Sequence, residues 1–210
     1  MGLTTDGQAG FFSSYTFQQA DEHTCQVIDA CFPTIGHLNL FVTECGGNST
    51  DYRDALDIAN RFAAIDTLNH ALLLQKHREH VVACIKHERA PRGYVSAWAD
   101  HFETLSRLPV AYILTAIEMY PTAVSNWQTV GMTVGIYYEG IPFNYAASLP
   151  WDQAYQTPRG YSVDEMARLY RAGVTADFAC AAAPSFASVT KIIAMYESGI
   201  NIEYAIEVFS

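Results

Sequence analysis

The chain has 210 residues, 50% of them hydrophobic and only 16% charged, against about 25% charged in an ordinary soluble domain. That is ample for one sizeable core, or a core with a small satellite, and so few charges over so much apolar material leave part of the surface for an interface, so self-association or a protein partner is expected. A net charge of −10 with only 12 Lys plus Arg argues against direct binding of nucleic acid or an anionic membrane, and 22 Asp plus Glu spread through so hydrophobic a chain are too thin for a DNA mimic.

Residues 1–18 mix Gly, Ser, Thr and Gln with Phe11, Phe12, Tyr15 and Phe17, and read as a flexible N-terminal arm that orders only against something. A helix is expected over about 18–31, ended by Pro33 and Gly36, and 38–43 alternates weakly, as a minor β element would. Gly46 and Gly47 mark a loop. Asn48, Ser49 and Thr50 match the glycosylation sequon, which reads as chance in a chain whose first residues lack a secretory pattern. Thr50 or Ser49 is expected to cap a helix that starts near Asp51; from there to about His87 there is no Gly or Pro, which fits one long helix or two in succession. Pro91 and Gly93 break the pattern, and further helices are expected over about 95–107, 110–119 and 122–138, punctuated by Pro109 and Pro121. The run 108–119 is too short, and too interrupted by Pro109 and Glu118, to span a bilayer, so no membrane segment is expected.

Three stretches near the C-terminus share one pattern around Gly140, Gly173 and Gly199. Tyr137, Tyr170 and Tyr196 stand three residues before the glycine; Ile141, Val174 and Ile200 follow it; Tyr145, Phe178 and Tyr204 stand five after, and Ala146, Ala179 and Ala205 six after. The spacing from Gly140 to Gly173 is 33 residues and from Gly173 to Gly199 it is 26, the extra length lying in a looped insertion at 148–160. Ser162 and Glu165 form a capping box for a helix whose Met166, Leu169 and Tyr170 share a face, and Gly173 supplies the left-handed residue that closes it. Thr175 then caps the next helix, and Asn201 does so in the following copy. Gly131 and Gly135 permit either a close helix contact or a strand over 133–138; the alignment of Tyr137 and Gly140 with helix ends favours the helix. The fold class expected is mainly α: a helical body over 19–130, with helical-hairpin repeats over 131–210 packed on it.

The pattern Tyr-x-x-Gly-Val/Ile-x-x-Asp/Glu-Phe/Tyr-Ala, over residues 137–209, resembles short helical repeats of bacterial and bacteriophage proteins, in which segments of the type Gly-Val-Thr-Pro-Glu-Tyr recur. Tyr138, Pro142 and Asn144 in the first copy depart from that consensus. The resemblance implies a packing or protein-binding module without a shared catalytic site.

Chemistry is sparser. His77, His80 and Cys84, one or two helical turns apart, are the candidate metal ligands, with His70 or His87 nearby, and zinc is the ion such a set would suit. The competing reading places His70, His77 and Cys84 on the margin of a buried face carrying Leu74, Val81 and Ile85. Cys25, Cys31, His37 and Cys45 match no zinc-site spacing, and five cysteines without a Cys-x-x-Cys pair read as reduced thiols in a cytoplasmic protein. Asp51, Asp54 and Asp57, at the start of a helix, fit its dipole and a solvated face, with Glu44 and Asp66 the other acids in reach of a carboxylate pair. No Gly-rich phosphate loop, catalytic residue or cofactor signature stands out. A non-enzymatic protein-binding or assembly protein is expected, of the bacteriophage structural or host-interaction kind. Its rivals are a metal- or thiol-dependent enzyme built on the His/Cys stripe at 70–87, and an acidic regulator of a nucleic-acid-binding protein.

Overall fold

The computed structural model describes residues 20–65, 69–89, 101–124, 126–151, 160–182, 188–201, 203, 204 and 207. The arm expected over residues 1–18 and the first six residues, 95–100, of the helix expected over 95–107 lie outside them. Among the described residues the chain is helical, with no strand; an isolated bridge joins Trp151 to Tyr161. The chain divides into two compact units, one ending at Ser106 and one starting at Arg107, whereas the sequence pattern drew its line at residue 131.

The first unit holds α1 (Glu22–Cys31), α2 (Ile35–Glu44), α3 (Tyr52–Ala64), α4 (His70–Arg89) and the short α5 (Phe102–Leu105). Asp21 caps α1, its carboxylate accepting from the Thr24 amide at 2.8 Å and from the Thr24 hydroxyl at 2.9 Å. Both bonds favour the charged form, so Asp21 sits below the ordinary carboxylate range. The β element expected at 38–43 is instead the middle of α2. Alternation would put Leu38, Leu40 and Val42 on one face, but Leu40 is 57% exposed while Ile35, Leu38, Phe41, Val42 and Cys45 are buried, which is helical spacing. Thr34 starts that helix by accepting from the His37 amide. The cap of α3 is Asp51 rather than Thr50 or Ser49: its side chain accepts from the Arg53 amide at 2.9 Å, while the Thr50 hydroxyl turns back to Asn48 Oδ1 at 2.7 Å. The Gly- and Pro-free stretch after it is two helices. Phe32, Phe41 and Phe62 meet in the core with ring centroids 5.1–5.8 Å apart.

The second unit holds α6 (Val110–Met119), α7 (Trp127–Tyr138), α8 (Phe143–Ala147), α9 (Val163–Arg171), α10 (Ala176–Ala182) and α11 (Val189–Glu197). Helix α7 starts five residues later than the pattern suggests, because Asn126 and Thr129 form a reciprocal capping box there. It runs as a helix through Gly131 and Gly135, as the favoured reading has it. The two glycines differ in their surroundings. A Cβ on Gly135 would meet the Val163 methyl groups at 3.0 and 3.1 Å, so Gly135 lets the start of α9 lie against α7; a Cβ on Gly131 would meet nothing within 4 Å. Ser162 caps α9 in the expected box: its hydroxyl accepts from the Glu165 amide at 3.3 Å, and the Glu165 carboxylate accepts from the Ser162 amide at 2.9 Å.

These surroundings give opposite signs to the same substitution. Gly135→Ala is expected to lower stability by about 1–3 kcal/mol through overpacking, and Gly131→Ala to raise it by up to about 1 kcal/mol through helix propensity, both read from urea denaturation midpoints.

Candidate protein-binding groove

Three helices of the second unit end in one hydrogen-bond pattern. At the end of α9, the Gly173 amide donates to Tyr170 O at 3.0 Å and the Val174 amide to Leu169 O at 3.1 Å, with Gly173 at φ +71°. Only glycine takes that left-handed conformation without a Cβ penalty. The pair recurs at Gly140, with Tyr137 and Ile136 as acceptors, and at Gly199, with Tyr196 and Met195. Gly46 closes α2 with the same bonds in the first unit, but there the following residue is Gly47, which has no side chain to fold back. In the second unit Ile141 and Val174 are buried after their glycines, as are Ile136 and Leu169, whose carbonyls their amides meet.

The aromatic residues join one helix end to the next. Tyr145, five after Gly140, packs on Tyr170, three before Gly173, with centroids 5.3 Å apart; Phe178 packs on Tyr196 at 5.2 Å. A further rung precedes both, and the glycine pattern missed it: Tyr112 on Tyr137 at 4.9 Å. Leu108, Pro109 and Tyr112 stand where Ile141, Pro142 and Tyr145 stand one period later, but Arg107 replaces the glycine. The two prolines have nearly the same backbone, φ −59°, ψ 135° and φ −58°, ψ 130°, and each accepts from the tyrosine amide three residues on at 3.0 Å. A search on aliphatic-Pro-x-x-Tyr would have found it.

The tyrosine hydroxyls also connect elements. Tyr145 donates to Val174 O at 3.0 Å, Tyr112 to Thr133 O at 3.0 Å and Tyr161 to Ala179 O at 2.7 Å. Burial, with Cys180 and Tyr196 nearby, pushes the Tyr145 hydroxyl up to about 12, so it stays protonated and donating. Residues 152–159 of the expected 148–160 insertion lie outside the described residues; at its start, the Trp151 ring N–H donates to Ala146 O at 2.8 Å and the ring stacks on Tyr120 at 4.2 Å.

The first rung floors an open groove of about 570 Å³. Ala111, Thr115 and Met119, one exposed stripe of α6, form one wall; Gly140 to Asn144 form the other, with Tyr112 and Tyr137 between them. Its lining carries no charged side chain.

Compared with known proteins, the chain matches no family model, no curated protein and no solved structure. Its chemistry therefore rests on its own residues.

The sequence-predicted ligands do not converge. Helix α4 bends at His77, which has φ −133° and ψ 32°. The His77 and His80 rings lie edge to face at 6.0 Å, and both pack on Phe102, at 6.2 and 6.4 Å. Cys84 is buried. His70 Nε2 bonds to Ile65 O at 2.8 Å, and burial pushes His87 down, towards the neutral ring. Among the described residues no three His, Cys, Asp or Glu side chains come together to hold a metal ion. Burial pushes the Cys31 thiol up to about 11 and raises those of Cys25 and Cys180, the reverse of what a nucleophile needs. Of the acids, Asp57 pairs with Arg61 at 2.9 Å and Glu44 with Arg78 at 2.7 Å.

Val174 is buried, and the Tyr145 hydroxyl reaches its carbonyl, whereas Thr133 O lies within a helix. Tyr145→Phe is therefore expected to cost about 1–2 kcal/mol and Tyr112→Phe about half of that or less, measured by chemical denaturation.

Proposed function

We propose that this chain is a non-enzymatic protein-binding or assembly protein, whose second unit is an array of helical hairpins held by the tyrosine rungs and whose partner lies in the groove between α6 and the 140–144 turn. The observation that carries this reading is the groove itself, open, uncharged and aromatic-floored on a chain of net charge −10. Apolar, concave surface edged by polar groups is what a protein partner covers. The raised thiols and the scattered histidines run against a thiol- or metal-dependent enzyme. None of the five cysteines is in a disulfide, which accords with a reducing compartment such as the cytoplasm. Among the described residues no helix is long and apolar enough to cross a membrane. A bacteriophage structural or host-interaction role accords with the repeat resemblance.

Thr115 is exposed on the groove wall, so Thr115→Arg is expected to leave stability within about 0.5 kcal/mol of the parent. Affinity purification from the source cells, quantified for parent and variant, is expected to recover a partner with the parent and lose it with Thr115→Arg; equal recovery by both would place the binding surface elsewhere.

A further inference from the structure

Helix α7 leaves one stripe uncovered. Trp127 is 72% exposed and Tyr138 65% exposed, Gly131 is exposed and Val134 half-buried. At 3.6 residues per turn these four fall within one narrow face about 16 Å long. The stripe sits in the longest uncharged part of the chain, since residues 120–138 contain no Asp, Glu, Lys, Arg or His.

We infer that this face pairs with the same face of a second copy, two α7 helices crossing antiparallel about a two-fold axis midway between Gly131 and Val134. The spacing is self-complementary. One axis sets Trp127 of each chain against Tyr138 of the other, and Gly131 against Val134, so aromatic meets aromatic and a branched side chain meets a glycine. An isologous contact requires that kind of matching within a single patch. Charge permits the same face: two chains of net charge −10 repel, and the uncharged stripe lets backbones approach without carboxylates facing one another. Gly131 fits the crossing because a Cβ there would meet nothing of its own chain within 4 Å, which leaves room for the Val134 side chain of the other copy. The two rings supply the apolar centre of the contact but fall short of the roughly 800 Å² per partner of a standard interface, so the dimer dissociates on dilution. Tyr138 borders the groove, its ring edge-on to Tyr137 at 5.5 Å, whereas Thr115 lies on the α6 wall, so Thr115→Arg leaves the dimer intact.

Sedimentation equilibrium of the full chain, from micromolar to hundreds of micromolar, is expected to show monomer giving way to dimer. Gly131→Arg puts a cation at the crossing and is expected to raise the dissociation constant at least about tenfold with helix content unchanged. Trp127→Cys and Tyr138→Cys chains, mixed and oxidised, are expected to join through those two positions. A parent chain that stays monomeric throughout, a dimer that Gly131→Arg leaves intact, or Trp127→Cys chains that join to each other through position 127 would each overturn the pairing.

Discussion

A helix that must stop and turn back within three residues leaves carbonyls without partners, and the second unit solves this in one way three times over. A left-handed glycine turns two amides back onto those carbonyls, and the aliphatic residue that follows is carried over the last turn of the helix. At Gly46 the same bonds form without that side chain, so the hydrogen bonds alone do not define the arrangement. What distinguishes the second unit is the aromatic residue five places on, which reaches the tyrosine before the next glycine. Each helix end is thereby both a stop signal and a seat for the element preceding it. The groove follows from this, because Tyr112 and Tyr137 form its floor as well as a rung.

The residues that look most reactive in the sequence are occupied in packing. His77 and His80 face Phe102, and His70 takes the Ile65 carbonyl just beyond the end of α3, with its ring against Phe62. An imidazole is a flat, half-apolar ring with a hydrogen-bonding edge, well suited to the margin of a core. Cys31, with its thiol raised by burial, behaves as a small hydrophobe rather than as a nucleophile. The acids near the start of α3 are likewise engaged: Asp51 caps the helix and Asp57 holds Arg61.

Local, covalently adjacent chemistry was the most legible part of the sequence. The Ser162 and Glu165 box, the left-handed Gly140, Gly173 and Gly199 and the cap at Thr175 follow from residues within four positions of one another, and the structure places each as expected. Competition between nearby signals was harder to read. Asp51 displaces Thr50 as the cap because Asn48 engages the Thr50 hydroxyl, and Leu40, which made 38–43 look alternating, is an exposed apolar residue on a helix. The Tyr112 rung went unseen because the pattern was keyed to glycine, while the rung itself depends on a proline start and a ring three residues later. The groove and the uncovered face of α7 arise from residues brought together by the chain turning back, which spacing along one helix cannot reveal.

If the rungs hold the second unit together, their two rings must be energetically coupled rather than merely adjacent. A double-mutant cycle on Phe178→Leu and Tyr196→Leu, read by urea denaturation, measures that directly. The account predicts a coupling of about 0.5–1.5 kcal/mol between the two positions. Strictly additive losses, with no coupling beyond error, would contradict it.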